Sequence, residues 1–426
     1  MRTEKRSAFL SGLCGVAVTL GMIATGAQGA VSTERGASIL AFPKVLANSD
    51  DTDTIIQITN ISNNMVHARC FYVNASKDPA TGKPLWQVTD FTIWLTTQQP
   101  THWEVGTGRF VDPTDSCIKY GEIVPSTYCA DAGLDPGAVP PVPDDFVGEL
   151  KCVEVDVADN PIGGNHLKGE ATIKIDGDVA KYNAIGIQGT DLAGSTGNEL
   201  QLNQPLGSTD MPIGEYDACP NALLLNHFTD GVTDPFILAE GAGGTCVVEK
   251  YPPDAIGSSA QGQPCQSDAD CPYGFCKNGP VILDASGQVA LRSATLTDLT
   301  LIPCTEDFEN SLPSSVTVQF DIYNEFEQHL SASKTVTCWA SFYLFQVDSP
   351  KNPEMSVFSF AVQGTTVAHT RITPADGDGG VLGVAVTTRA NNEPELARVA
   401  LNLHMEGDRF TGTNGEVVDV VTLPDN

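Results

Sequence analysis

The chain has 426 residues, with 23 Lys+Arg against 53 Asp+Glu and a formal net charge of −30. A field of that sign repels nucleic-acid phosphates and anionic membranes, which excludes nucleic acid as a partner class. A single hydrophobic core stops growing near ~250–300 residues, so a chain of this length is expected to divide into two or more domains.

The first predicted element is an export signal. Arg2, Lys5 and Arg6 form a basic start, residues 8–27 are apolar and uncharged, and Ala27-Gln28-Gly29 offers small residues for cleavage. A membrane anchor is the alternative, since about 20 apolar residues span a bilayer. Gly12, Gly15, Gly21 and Gly26 dilute the run, so residues 1–29 read as a signal peptide. No second run of spanning length follows. The remainder is therefore expected to be secreted, periplasmic or on the cell surface, without a membrane span. Of the 12 cysteines, 11 lie beyond the signal, and that number in an exported chain predicts disulfides.

Short alternating runs then recur between Gly, Pro, Asn and Asp clusters, which predicts an all-β protein. Residues 54–60 and 66–73 flank the turn at 60–64 and read as a hairpin. Residues 172–175 precede Asp176-Gly177, a two-residue hairpin signal. Residues 281–283 and 289–291 flank Ser286-Gly287, and residues 409–411 and 417–418 flank Asn414-Gly415. Strands at this spacing suggest sandwiches or barrels. Two regions break the pattern. Residues 131–145, with Pro136, Pro140, Pro141 and Pro143, read as an exposed loop. Residues 252–280 hold Cys265, Cys271 and Cys276 and read as a disulfide-pinned insertion, similar to a fragment of the small cysteine-rich modules of exported proteins.

The chain also echoes itself. Cys70-Phe71-Tyr72-Val73, after the run 54–60, matches Cys338 with Phe342-Tyr343-Leu344, after the run 316–323. An internal duplication would give two similar halves near 36–205 and 291–426, with chance alternation as the alternative. The order of strand, Asn-rich turn and Phe-Tyr-edged strand resembles the immunoglobulin-like sandwiches of exported bacterial proteins, including uncharacterised ones of this texture. The resemblance implies two β-sandwich domains, at 30–251 and 281–426 around the cysteine-rich insertion. It implies no activity, because that fold hosts many functions.

Expected disulfides are Cys70–Cys152 and Cys304–Cys338, with Cys117 and Cys129 as a local loop. Cys246 is expected to join the cluster of Cys265, Cys271 and Cys276, leaving Cys219 as the odd thiol. Nucleophile-elbow, zinc-helix and phosphate-loop motifs are absent, so no catalytic residue is assigned. A non-catalytic exported surface, structural or binding protein is the leading reading. The competing one is a secreted glycan-acting hydrolase using Glu325 and Glu327. These alternate with His329 along an expected strand, with Phe326 turned to the core, and one-face neighbours lie about 6.5–7 Å apart. That spacing suits an inverting glycosidase, against the plainer reading of a solvated strand face. Asp376 and Asp378, in an Asp/Gly loop, are the candidate calcium ligands, as are the acidic residues of 48–53, against ordinary turns. No other cofactor is expected. Trp86, Trp94 and Trp103 crowd 18 residues and are candidates for binding a carbohydrate or a protein at the cell surface, against simple packing.

Overall fold

The computed structural model describes residues 31–49, 51–77, 80, 85–110, 118–119, 122–123, 135–175, 177–202, 215–230, 244–248, 264–265, 274–278, 294–375, 377–390, 397–409 and 419–425. The expected signal at 1–29 lies outside them. The described residues are all-β, with 59% of them in strand. Among the described residues no helix is long and apolar enough to cross a membrane.

A six-stranded sheet runs in the order Val31–Ser32, Ile185–Ile187, Ile39–Ala47, Phe146–Val155, Val66–Asn74, Gln87–Leu95. Pro43 in Ile39–Ala47 cannot donate to a ladder, and the register with Phe146–Val155 shifts between Phe42 and Val45, where a bulge absorbs it. A four-stranded sheet of Asp178–Asn183, Leu167–Ile175, Thr52–Asn60 and Pro100–Glu104 alternates buried and wetter positions along its strands. Phe42, Ile56, Tyr72, Leu150 and Ala171 of these two sheets share one core with Val384 and Val386. The opposite face of the six-stranded sheet is also covered. Phe71, Val153 and Ile185 pack there with Ile302, Phe308, Leu382 and Val421. The strand Phe146–Val155 is therefore buried on both faces.

Further along lies a five-stranded sheet of His329–Thr337, Ser315–Asn324, Val367–Pro374, Pro220–Phe228 and His404–Asp408. A second four-stranded sheet holds Ala340–Tyr343, Ala294–Pro303, Val381–Ala390 and Ala397–Asn402. A three-stranded sheet gathers Glu199–Gln201, Val420–Thr422 and Glu306–Asp307 from distant parts of the chain.

These small sheets are arranged as a five-blade β-propeller, which overturns the expected pair of immunoglobulin-like sandwich domains. Alternation fixes which face of a strand is apolar. It does not fix how sheets are set against one another, and sandwiches and propellers share short, evenly spaced strands. Residues from both halves of the chain fill two of the cores. Residues 54–60 and 66–73 are not a hairpin. Thr52–Asn60 pairs with Leu167–Ile175 and Pro100–Glu104, while Val66–Asn74 pairs with Gln87–Leu95 and Phe146–Val155. The hairpin expected after 172–175 does form, with Ile175 opposite Asp178. The duplication is not reproduced either: Cys70 sits mid-strand, whereas Cys338 follows the strand His329–Thr337 with φ 49°.

Cys70 and Cys152 face each other in register and form a disulfide. Cys304 pairs with Cys219, not with Cys338, which keeps a buried free thiol. Cys219 immediately precedes the strand Pro220–Phe228 and Cys304 immediately follows Ala294–Pro303, so the two strand ends meet. Gly380 permits the meeting, because a Cβ there would lie 2.5 Å from that of Cys219. Cys117, Cys129 and Cys271 lie outside the described residues. In backbone register Cys246 stands opposite Cys276, in a sheet whose third strand is Pro264–Cys265.

Candidate functional site

The strand Pro220–Phe228 pairs with its neighbour His404–Asp408 as far as Leu224, short of Asn226. There the five-stranded sheet and the strand Ala397–Asn402 diverge around a cleft of about 530 Å³, a size typical of small-molecule pockets. Its apolar walls are Tyr323, Val367, Ala368, Val399 and Leu401. Four of these are large and exposed, Val399 to 56%.

Register aligns the polar groups. His329, Tyr323, His369 and Asn226 stand opposite one another across successive strands. The Tyr323 and His329 rings stack at 4.8 Å. Nδ1–H of His369 donates to Asn226 Oδ1 at 2.8 Å. His227, on the inner side, donates from Nδ1 to the Phe228 carbonyl at 2.9 Å and accepts from the Thr370 hydroxyl at 2.9 Å. Burial lowers the His227 pKa to about 4, against the opposing pull of the Phe228 carbonyl, so the ring is neutral near pH 7.

Glu325 lines this cleft, and its Oε2 accepts the Thr366 N–H at 3.2 Å. The expected alternation with Glu327 and His329 is absent. The strand ends at Asn324, whose side-chain oxygen accepts from the N–H of Phe326 and of Gln328 and so builds a tight turn. Glu327 takes φ 60° in that turn and is not among the cleft residues, and Phe326 is 70% exposed rather than in the core.

Of the indoles, Trp103 is a core residue whose Nε1–H donates to Tyr72 Oη at 2.6 Å. Trp94 is half-buried and its ring is covered by His67, stacked at 3.9 Å. Trp86 precedes its strand and packs against the second core. Asp378 Oδ2 is occupied by the Thr317 N–H at 2.7 Å, and Asp376 lies outside the described residues. The one trio of described residues with ligand atoms close enough for a metal is Cys219, Cys304 and Asp419. Both sulfurs are consumed by the disulfide, so the trio offers no thiolate.

A second polar cluster escaped the sequence reading. Lys151, on the doubly covered strand Phe146–Val155, is 1% exposed. Its Nζ touches Glu306 Oε2, and lies 3.4 Å from the Pro303 carbonyl and 3.4 Å from Glu149 Oε2. Glu149 is wholly buried, and neither of its oxygens is in a hydrogen bond. Desolvation, reinforced by the charge of Glu306, raises the Glu149 pKa well above that of an exposed glutamate. Desolvation works against the charge on Lys151, but the two carboxyls outweigh it and raise the lysine pKa. Glu149 and Lys151 sit two apart on one strand face, a spacing that reads as a wet face. Nothing local signals that later elements cover it.

No family model matches the chain, and no curated protein matches it as a relative. The cleft and the buried cluster therefore rest on their own geometry.

Proposed function

We propose that the chain is a non-catalytic binding protein whose cleft beside Asn226–Phe228 holds a small, mainly apolar molecule with a hydrogen-bonding edge. The observation that carries this is the combination of apolar walls with imidazoles already committed to protein partners. A general acid or base needs a pKa near the working pH, and His227 is far below it. The single carboxylate in the cleft, Glu325, has no second carboxylate beside it among the lining residues. Asn226 and His369 supply the polar edge. The disulfides support placing the protein in an oxidising compartment, in keeping with an exported chain.

Titration with Nile red, an uncharged probe that the acidic surface does not repel, tests the reading. Saturable binding is expected in the wild type, lost in Leu401→Asp and retained in Trp94→Ala. Absence of saturable binding, or equal binding by Leu401→Asp, would remove the site.

A further inference from the structure

The cluster of Lys151, Glu306 and Glu149 has the composition of a condensation site closed off from water. We propose that Lys151 and Glu306 are joined by an isopeptide bond that the folded chain makes itself, with Glu149 as the proton-transferring residue. The amine and the Glu306 carboxyl are already in contact, and both side chains are buried. Packing by Phe71, Phe308 and Ile302 on the same side of the sheet keeps the site dry. Holding reactants in place this way is worth effective concentrations of about 10⁵–10⁸ M.

The step balances without any co-reactant. A proton passes from the Lys151 ammonium to the Glu306 carboxylate, giving a neutral amine beside a carboxylic acid. Nζ attacks Cδ of Glu306, forming the C–N bond. The acid proton of Glu149 goes to the departing hydroxyl as the C–O bond breaks, and one water leaves. Glu149 then takes the surplus proton from nitrogen and is restored. Nothing is oxidised or reduced. The product replaces an ammonium and a carboxylate by a neutral amide, whose N–H can donate to the oxygen of Glu149 that now has no partner. That bond answers an otherwise costly feature, since buried polar atoms without partners are rare.

The full chain, reduced and alkylated, should be digested and sequenced by tandem mass spectrometry. The expected result is a branched peptide joining residues 151 and 306, lighter by one water than its two parts together. Glu149→Gln should yield the two separate peptides while keeping the wild-type circular dichroism. Separate, full-mass peptides in the wild type would overturn the proposal. So would a link to Glu149 instead of Glu306, or a bond that still forms in Glu149→Gln.

Discussion

Two lysines on adjacent strands of the six-stranded sheet are buried against the same strand, Ala294–Pro303, and they are treated in opposite ways. Lys44 finds an acceptor for each of its N–H groups: Asp298 Oδ2 at 2.7 Å, Ser341 Oγ at 2.7 Å and Thr300 Oγ1 at 3.2 Å. Asp298 also accepts from Ser341 at 2.6 Å and stays partly in water. Lys151 meets two buried carboxyls, one of them without hydrogen bonds. A buried ammonium with one carboxylate and neutral acceptors is a finished tie. The same ammonium with a surplus carboxyl is an arrangement that only proton sharing or reaction can settle.

The largest expected effect is at Lys151. Lys151→Met leaves two carboxyls buried without a cation, and removing one partner of a buried pair costs about 3–5 kcal/mol. Denaturant unfolding measures it. A loss below about 1 kcal/mol would erase the contrast with Lys44, because that is the scale of an ordinary hydrogen bond. The disulfide next to Lys151 comes second: Cys70→Ala with Cys152→Ala should lower stability by about 2–5 kcal/mol in the same assay. Lys44→Met should cost about 1–3 kcal/mol, because Asp298 can turn to solvent while the hydroxyls satisfy each other.

The smallest effect is a slope. Above 4.5, where an exposed glutamate ionises, the folded state keeps the Glu149 proton that the unfolded chain releases. Stability therefore falls as pH rises towards the raised Glu149 value, and Glu149→Gln should flatten that fall in melting curves. His227 tilts the other way. Its folded pKa is lowered, so stability is lost as pH drops from 6.5 towards about 4. Replacing each group separately should remove one slope and leave the other.

How much of this was legible follows from what alternation encodes. The strands Thr52–Asn60 and Leu167–Ile175 have one wetter face, and their pattern showed in the residues. Gln87–Leu95 alternates in the same way, with Phe91, Ile93 and Leu95 in one core and Val88 against the other. Ile39–Ala47 is buried almost throughout and shows no alternation to detect. Sheet membership was not legible: the Asn-rich turn at 60–64 carries the chain from one sheet to another rather than folding it back. Glu325 and Glu327 were expected to alternate with His329 on one strand face, and they do not, because the Asn324 side chain closes a turn where period two was expected to continue. The Lys151 cluster depends on Glu306, 155 residues away, and no local pattern encodes such a meeting.

Cys338 lies within electrostatic reach of Glu306, Glu149 and Lys151, and burial pushes its thiol pKa up to about 12. A closed, protonated thiol is nearly inert to alkylation, so its labelling rate counts how often this part of the protein opens. Cys338 is thus a clock set beside the lysine cluster. Slow labelling of this one peptide in the wild type, and fast labelling in Lys151→Met, would time the breathing of the seam where strands from the two ends of the sequence are held together.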